Sequence, residues 1–473
     1  MTPKMQNISK RFAIVLCAAI VATACFSDTI QDPGSGGDNG PKLATLSGNI
    51  TASRTLSADT VYTLSGYVKV RAGVTLTIPA GTKIVGDTAV AGSSLWILRG
   101  ARINAQGTAS NPIVFTSARS AGNRKPGDWG GIIIIGNARI NRTGSPIFTE
   151  GPADVAENYA GGTDDNDNSG TLRYVRIEFA GYDVSNGQGQ ELNSLSLYAV
   201  GRGTTIEYVQ SMAGLDDSFE FFGGTVDTRY MVSYESGDDH FDWTEGYSGR
   251  NQFLIAYQST TIAPRPGTGT LSTDPRGFEG DGCENTKPGC AYTNAPYSRP
   301  VFANFTIIGP GPGVFAPADG NGAVIRRGSG GTFVNGIIAR WPLFGVSIRD
   351  AESNALLGND SLIVRNVFLS DNSANFEPQG TNFGQSINVA ATNILQPSPM
   401  SSLFNSVSPT GFDWTPSATS PAKSGGLAAF TGTAIAARAT AYFGGTLTGT
   451  TYVGAQDPAG PKWWLGWTSY ALN

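Results

Sequence analysis

Residues 208–246 read YVQSMAGLDDSFEFFGGTVDTRYMVSYESGDDHFDWTEG and contain one pattern twice. The segment DDSFEF at 216–221 returns 22 residues later as DDHFDW at 238–243, and a β-rich run precedes each copy. A repeat of this length with strand-like content is typical of a solenoid, in which each repeat forms one coil that stacks on the previous one. This stretch therefore predicts an all-β solenoid.

Short strands separated by corner residues continue on both sides of the repeat. Residues 68–78, VKVRAGVTLTI, alternate between apolar and polar side chains, which predicts strands with one buried and one wet face. Glycine, proline and asparagine separate such runs, whereas the Asn-Gly turns that join hairpins are scarce. With 62 glycines and 15% charged residues, the composition also favours a turn-rich β protein. We therefore expect a parallel β-helix rather than a sandwich.

Several longer segments resemble a known family. They include LTIPAGTKIVGD at 76–87, GDWGGIIIIGNARIN at 127–141 and the C-terminal TTYVGAQDPAGPKWWLGWTSYALN at 450–473. These segments are similar to parts of secreted bacterial right-handed parallel β-helix lipoproteins, and the resemblance covers nearly all of the mature chain. It implies a right-handed parallel β-helix with irregular loop excursions. It implies no particular enzymatic activity.

The first 24 residues predict a secretory signal peptide, because three positive charges precede an apolar run too short to span a bilayer. Ala22-Thr23-Ala24-Cys25 resembles a bacterial lipobox, whose cysteine becomes the lipidated first residue. Ordinary cleavage beside an incidental cysteine is the alternative. Residues 25–42 would then be the lipidated cysteine and a flexible glycine- and proline-containing tether. We therefore expect an exported protein that Cys25 anchors to the outer membrane or cell surface.

The rest of the chain is expected to form a parallel β-helix at 43–397 and C-terminal coils with a cap at 398–473. A solenoid needs a cap because the open strand edges of its last coil would otherwise meet water. The aromatic C-terminus is expected to supply this cap, through Trp463, Trp464, Trp467 and Tyr470. A carbohydrate-stacking site is the alternative role for these side chains.

Two further patterns predict local contacts. Asn304, Asn335 and Asn366 recur at equal intervals of 31 residues, which predicts a column of asparagines whose amides bond to one another, with coincidence as the alternative. Cys283 and Cys290 bracket the turn-forming segment ENTKPG, which in an exported protein predicts a disulfide. A metal site is the alternative, but the chain has only four cysteines and one histidine.

The charge of the chain limits its partners. The formal net charge is −5, and removal of the signal with its three positive charges leaves the mature chain near −8. An acidic protein lacks the basic surface that binds nucleic acid, so we expect no such partner. Its acidic loops are instead expected to attract cations.

The acidic residues of the repeat are the main candidate site. Aromatic residues alternate with Glu220 and Asp242, so these carboxylates are expected to point away from the core, stacked about 4.8 Å apart. Glu279 of RGFEGD is a candidate third member, and paired aspartates precede each copy of the repeat. Three interpretations remain open: a solvated corner whose aspartates cap turns, a Ca²⁺ site built from adjacent coils, and a glycosidase-like carboxylate pair. The candidate calcium ligands here are Asp216, Asp217, Asp238, Asp239 and Asp242.

A second candidate cation site is the loop DDNDNSG at 164–170. Asp165, Asp167 and Ser169, followed by Gly170, match the first half of an oxygen-rich calcium loop. Position 176 is arginine instead of the bidentate glutamate of an EF-hand, so this loop is not an EF-hand. It is either a weak Ca²⁺ site or a flexible polar excursion.

Together these features predict a calcium-stabilised cell-envelope lipoprotein with a structural, adhesive or glycan-binding role. Its expected partners are the membrane, through the lipid anchor, and a polysaccharide or another surface protein. The alternative is a carbohydrate-active enzyme, a lyase or hydrolase of polysaccharide, with Glu220, Asp238, Asp239 and Asp242 as its catalytic candidates. The only histidine, His240, lies in no nucleophile-elbow motif, which favours the non-enzymatic role.

Overall fold

The structure is a computed structural model that describes residues 40–185, 189–315, 320–378, 399–408 and 413–472. The predicted signal peptide, the lipidated Cys25 and nearly all of the tether therefore lie outside the described residues. None of the helices that the structure describes has both the length and the apolar character needed to cross a membrane.

Strands dominate the described chain. The first fifteen are β1 (Lys42–Ile50), β2 (Arg54–Thr55), β3 (Thr60–Val70), β4 (Thr75–Pro79), β5 (Lys83–Gly86), β6 (Ser94–Ile97), β7 (Arg102–Gln106), β8 (Ile113–Ser117), β9 (Ile132–Ile135), β10 (Gly170–Glu178), β11 (Tyr182–Asp183), β12 (Glu191–Leu192), β13 (Leu195–Tyr198), β14 (Thr205–Met212) and β15 (Phe219–Phe222). The next ten are β16 (Asp227–Tyr234), β17 (Phe241–Thr244), β18 (Arg250–Tyr257), β19 (Arg276–Asp281), β20 (Val301–Ile308), β21 (Asn321–Arg326), β22 (Gly331–Ala339), β23 (Phe344–Ile348), β24 (Leu362–Ser370) and β25 (Ala374–Phe376).

The C-terminal elements are short. The remaining strands are β26 (Phe404–Ser406), β27 (Asp413–Pro416), β28 (Thr440–Tyr442) and β29 (Gly445–Thr446). The helices are α1 (Ala351–Ala355) and α2 (Met400–Leu403), with single 3₁₀ turns at Leu356–Asn359, Pro421–Lys423 and Ala436–Arg438. Strands β26–β27 and β28–β29 pair antiparallel. The coils expected after residue 398 are therefore not formed by the described residues there.

Strands β1–β10 and β13–β25 form one 23-stranded sheet whose pairings are all parallel. The short strands β9, β13, β15, β17, β19, β21, β23 and β25 stack into one face. The longer strand β10 pairs with β7 through its first half and with β8 through its second half, so it bends and contributes to two further faces. The chain is therefore an all-β parallel solenoid, and this prediction is confirmed.

A column of left-handed residues forms the bend between these two further faces. The residues have φ angles between 49° and 62° and are Tyr174, Tyr208, Tyr230, Phe253, Asn304, Asn335 and Asn366. Non-glycine residues adopt this conformation uncommonly. Ring stacking supports it here, because successive aromatic rings of the column lie 4.3, 4.4 and 5.0 Å apart between centroids. We call these seven residues the corner column.

The asparagines of the corner column bond to the C-terminal segment. The amide of Asn304 donates to Thr450 Oγ1 at 2.8 Å, and the amide of Asn366 donates to the carbonyl of Gly425 at 2.7 Å. Asn335 likewise donates to Leu427 and Thr450. The predicted column is present, but the predicted bonding of one amide to the next is wrong, because the C-terminal segment supplies closer acceptors.

The aromatic C-terminus lies along the flank of the solenoid. Trp467 packs against Tyr174 and Tyr208, with centroids 5.8 and 6.1 Å apart, and Trp463 packs against Tyr230 at 5.3 Å. The side chain of Gln210 donates to the carbonyl of Ser469 at 2.6 Å. This position differs from the expected cap over the last coil, because the stacked rings of the corner column present apolar surface along the solenoid axis.

The interior of the solenoid is a stack of aromatic and aliphatic side chains. Phe219, Phe241 and Phe278 follow one another along the axis with centroid separations of 5.4 and 5.7 Å. Trp243 is fully buried, and a Cβ atom added at Gly280 on the next coil would lie 2.1 Å from its ring. The prediction that the aromatic residues of the repeat form core rungs is confirmed, and their alternation fixes which side chains point outward.

Candidate functional site

The outward surface of the face formed by β9, β13, β15, β17, β19, β21, β23 and β25 carries the candidate site, and we call it the front face. Glu220 lies opposite Asp242, and Asp242 lies opposite Glu279 on the next coil. The predicted column of three carboxylates is therefore present. It is buried rather than wet: Glu220 is 8% exposed, Asp242 9% and Glu279 8%.

Asparagine and aspartate side chains hold the corner beside this column. Asn193 Oδ1 accepts from the backbone N–H of Asp217 at 3.2 Å, and Asp217 Oδ1 accepts from the N–H of Asp239 at 2.8 Å. Asp239 Oδ1 accepts in turn from the N–H of Arg276. Each side chain thus bonds to the backbone of the following coil, which is the turn-capping role that the sequence left open for the aspartates.

Arginines neutralise one part of the front face. Arg276 bridges Asp239 at 3.3 Å and Glu279 at 2.8 Å, and it also contacts Asp274. Arg326 pairs with Glu279 and with Asp281, the latter at 2.9 Å. Asp239, Asp281 and Glu279 therefore have fixed cationic partners within the fold. Asp239 was predicted as a calcium ligand, but in the structure it forms a salt bridge with Arg276 instead.

The neighbouring part of the front face has no such partner. Ligand oxygens of Asp217, Glu220 and Asp242 all lie within 4.8 Å of one another, and so do those of Asp216, Asp217 and Asp238. Across the described ranges, no lysine or arginine forms an ion pair with any of these five carboxylates. We call the five residues the acidic cluster. Four of them are predicted calcium ligands, and Glu220 was predicted only as a catalytic candidate.

Hydrogen bonds satisfy only part of the acidic cluster. The amide of Asn193 donates to Glu220 Oε2, and Asp217 Oδ1 accepts from the backbone as described above. Asp242 Oδ1 is buried and has no hydrogen-bond partner within the described part of the chain, and the same holds for Asp238 Oδ1. A buried carboxylate oxygen without a partner is costly unless it is protonated or binds a cation.

Burial and mutual repulsion shift the titration of these groups. Burial raises the pKa of Asp217, Glu220 and Asp242 well above the usual range, and neighbouring carboxylates raise it further. Burial also raises the pKa of Asp238 to about 7, against the opposing effect of Arg276. The interpretation as a solvated corner is wrong for Asp217, Glu220 and Asp242, because their side chains are buried.

The loop between β18 and β19 covers the corner. This loop comprises residues 260–275 and is attached at two points. The N–H of Arg265 donates to the carbonyl of Pro126 at 3.0 Å, and the N–H of Ser272 donates to the carbonyl of Gly237 at 3.0 Å. Arg265 also pairs with the buried Asp128. This cover explains why the aspartates are shielded from solvent.

A cavity of about 800 Å³ lies beside the acidic cluster. Tyr198 and Phe222 stack on its wall with centroids 4.1 Å apart, and Phe148 lines it with 56% of its surface exposed. The excursion at 142–162 supplies many of the remaining lining residues, including Glu150. Sequence reasoning missed this cavity, because the excursion shows no repeat that would place it over the front face.

Polar groups converge in the same cavity. Glu245 is 1% exposed, accepts from Tyr159 Oη at 2.6 Å and pairs with Arg142 at 3.1 Å. Burial raises the pKa of Glu150 to about 7, against the attraction of Lys287. Glu150 also acts on Glu220, whose pKa it raises, so the cavity and the acidic cluster share one electrostatic environment.

The disulfide positions Lys287 at the cavity. Cys283 and Cys290 are bonded, which confirms the predicted pairing. The short loop between them packs on the excursion, since Thr143 N–H donates to the carbonyl of Gly289 at 3.0 Å. Lys287 lies within this loop and lines the cavity. The disulfide thus helps to place Lys287 in the cavity that Glu150 and Glu245 also line.

The other predicted residues lie apart from the acidic cluster. In the loop at 164–170, Asp165 pairs with Arg139, and Asp167 accepts from Ser169 Oγ at 3.2 Å. These contacts form a polar turn, and the calcium site predicted there remains a prediction. His240 is fully buried, its Nδ1 contacts Ser233 Oγ, and burial lowers its pKa to about 3. A neutral histidine inside the solenoid is a packing residue.

Comparison with known proteins agrees with this architecture. A family model described as a pectate-lyase-like β-helix domain matches residues 48–402. The chain belongs to that family. Searches of curated proteins and of solved structures found no match. The matched region includes the acidic cluster, the cavity and the disulfide, so the β-helix domain carries the whole candidate site.

Proposed function

We propose that this protein is an exported, lipid-anchored β-helix protein that binds carbohydrate on its front face with the help of a bound Ca²⁺. The observation that carries the proposal is the acidic cluster, in which five carboxylates have no arginine or lysine partner among the described residues, while Asp239, Glu279 and Asp281 beside them do. Membership of a pectate-lyase-like family is consistent with a carbohydrate-related role.

The acidic cluster suits a hard divalent cation. Ca²⁺ takes six to eight oxygen ligands, and carboxylates from adjacent coils provide several of them. The unpartnered and buried Asp242 Oδ1 lies within 4.8 Å of ligand oxygens of Asp217 and Glu220. Ca²⁺ binding there would keep these groups ionised, which their burial otherwise opposes.

The cavity suits a sugar. Its volume of about 800 Å³ is in the range of small-molecule sites. Exposed Phe148 offers an aromatic surface on which the apolar face of a pyranose can stack, while Glu150 and Lys287 offer hydrogen-bonding groups. The lipobox-like segment ending at Cys25 supports attachment of the protein to a membrane, where a polysaccharide-binding domain would face its ligand.

The calcium part of the proposal is tested by thermal melting of the mature protein in chelator and in CaCl₂. A ligand present at a hundred times its dissociation constant stabilises by about 2.7 kcal/mol, so a clear rise in melting temperature is expected. Asp242→Asn should remove most of this rise. Asp281→Asn, on the same face but paired with Arg326, should keep it. An equal rise in both variants, or none in the wild type, would contradict the metal site.

The carbohydrate part is tested separately with a glycan array, probed with and without Ca²⁺. Phe148→Ala should weaken binding to any glycan that the wild type captures, with its melting temperature nearly unchanged because the side chain is exposed. Leu43→Ala, an equally apolar change at a residue 69% exposed on the first strand, is the matched control. Failure of the wild type to bind any glycan would reject carbohydrate binding, whatever the calcium result.

Catalysis is the second candidate function, and one observation favours it. Glu150, whose pKa burial raises to about 7, faces the same cavity as Glu245, and such a shift is typical of a general acid. Of the residues predicted for catalysis, Glu220 and Asp242 lie in the acidic cluster with Asp238, whereas Asp239 is held by Arg276. Incubation with acidic polysaccharides, followed by ultraviolet absorbance for a lyase and reducing ends for a hydrolase, tests this role. Product formation that Glu150→Gln leaves unchanged would exclude Glu150.

A further inference from the structure

Three arginines, Arg250, Arg299 and Arg438, lie close enough to interact electrostatically where the C-terminal segment contacts the solenoid. Arg250 begins β18, and Arg299 precedes β20 on the next coil, where its N–H donates to the carbonyl of Tyr247 at 2.8 Å. Arg438 belongs to the 3₁₀ turn Ala436–Arg438, and its Nη2 donates to the carbonyl of Ser248 at 3.3 Å. Because Tyr247 and Ser248 are consecutive, the side chain of Arg438 and the backbone of Arg299 bond to adjacent carbonyl groups.

Among the residues that the structure describes, only one of the three arginines has a carboxylate partner. Asp227 is 3% exposed. Arg250 donates three hydrogen bonds to its carboxylate, from Nε at 2.9 Å, from the backbone N–H at 2.9 Å and from Nη2. In the part of the chain that the structure describes, no aspartate or glutamate forms an ion pair with Arg299 or Arg438. Two positive charges therefore remain uncompensated at this place in an otherwise acidic protein.

Donor atoms of these two arginines are buried without acceptors. Arg438 Nη1 and Arg299 Nε are both shielded from solvent, and neither has a hydrogen-bond partner in the described ranges. Arg250 Nη1 donates to the carbonyls of Arg438 and Thr440, so those acceptors are already engaged. An unsatisfied guanidinium donor in a shielded site is costly, and a bound anion would satisfy it.

The charges around Arg438 disfavour its positive charge, as expected for a site that needs a bound anion. Burial, together with repulsion from Arg299 and Arg250, lowers the pKa of the Arg438 guanidinium to about 9. The opposing attraction comes from Tyr247 and from Asp227, which is already paired with Arg250. The fold thus brings like charges together without supplying a counter-charge.

We infer that Arg299 and Arg438 form a binding site for a tetrahedral oxyanion, a sulfate or phosphate group. Such a group has several oxygens that can accept from guanidinium N–H donors of two arginines at once, and these charge-assisted bonds are stronger than neutral ones. The oxyanion bonds to Arg438 Nη1 and Arg299 Nε and neutralises both side chains. It thereby ties the C-terminal segment to the solenoid coil that begins with β20. The source of the group is a free anion or an ester on a polymer.

Isothermal titration of the mature protein with sodium sulfate and with sodium phosphate tests the site, at ionic strength held constant with sodium chloride. The wild type is expected to bind one oxyanion. The double variant Arg299→Gln, Arg438→Gln is expected to bind it at least about tenfold more weakly, because two charge-assisted contacts are lost. Arg119→Gln removes an exposed arginine elsewhere and should leave the affinity unchanged.

Melting temperatures provide an independent readout that separates the site from general salt effects. Without oxyanion, Arg438→Gln should melt no lower than the wild type, because the change relieves repulsion among the arginines. Exclusion of sulfate from protein surfaces raises the melting temperature of both proteins alike. In sulfate, the melting temperature of the wild type should therefore rise more than that of the variant, because only the wild type keeps both arginines of the site. Equal gains, together with equal affinities in titration, would overturn the inference.

Polymers distinguish the two sources of the oxyanion. If dextran sulfate binds the wild type while dextran does not, and the double variant loses this binding, the group is an ester on a polymer. If inorganic sulfate or phosphate binds and dextran sulfate does not compete with it, the ligand is a free anion. Binding of dextran sulfate that is equally strong in the double variant would place polymer binding elsewhere on the surface.

Discussion

The acidic cluster and the neighbouring Glu150 predict an unusual dependence of stability on pH when calcium is absent. In the unfolded chain, Asp238 and Glu150 titrate near 3.8 and 4.5, whereas in the fold burial raises the pKa of each to about 7. Between these values the folded protein holds protons that the unfolded chain has released. The free energy of unfolding must therefore be highest at acidic pH and fall as the pH rises towards 7.

The magnitude follows from the size of the shift. One pKa unit corresponds to about 1.4 kcal/mol, so full titration from pH 5 to pH 7 would remove about 2 kcal/mol for each of these two groups. Because both side chains are partly exposed, we expect about 1–2 kcal/mol each after solvent screening. Asp217, Glu220 and Asp242, with pKa values raised still further, extend the decline above pH 7.

Calcium should oppose this decline, because it binds the ionised carboxylates and its affinity rises as they lose protons. The assay is urea unfolding at pH 5, 6, 7 and 8, once in chelator and once in CaCl₂. In chelator the free energy of unfolding should fall with pH, and in CaCl₂ it should stay level or rise. Asp242→Asn should flatten the decline in chelator, because it removes one of the buried groups and relieves repulsion on the others. A free energy that rises with pH in chelator, or equal slopes with and without calcium, would refute the reasoning.

Three other changes test separate parts of the structure. Gly280→Ala should lower the free energy of unfolding by about 1–3 kcal/mol or more, since its Cβ would overlap the ring of Trp243, while Gly358→Ala, with nothing within 4 Å, should be neutral in the same urea titration. Trp467→Ala should destabilise by about 3–5 kcal/mol and speed proteolysis of the C-terminal segment, and unchanged cleavage would show that the flank contact does not hold it. Cys25→Ser should release the protein from membranes in cell fractionation, and retention of the variant would argue against lipidation.

The repeat made the front-face register predictable from the sequence. The 22-residue spacing places Glu220 beside Asp242, and the shorter match in RGFEGD places Glu279 beside them, as the pairing of β15, β17 and β19 confirms. The predicted disulfide is likewise present, because its two cysteines bracket a turn in the chain. In each case a local pattern or a constant period determines the contact.

The environment of those carboxylates was not predictable in the same way. Their burial depends on segments without repeats, the excursion at 142–162 and the loop at 260–275, whose positions are set by contacts distant in sequence. Sequence patterns therefore gave no sign that Asp239 would be bound by Arg276 or that Glu150 would join the site. The position of the aromatic C-terminus was missed for a similar reason, because nothing local shows that Trp467 packs on Tyr174.

The corner column keeps the same geometry on successive coils, whereas the number of residues between its members varies. Its members Tyr208 and Tyr230 are 22 residues apart, whereas Phe253 and Asn304 are 51 apart, yet all four take the same left-handed corner on successive coils. The additional residues leave the solenoid before and after the front-face strand β19, as the loops at 260–275 and 282–299 show. Insertions can therefore remodel the surface beside the front face without altering the rise of the solenoid. For protein engineering, this makes the front-face loops the natural positions for grafting new specificities, with the corner column kept as an invariant scaffold.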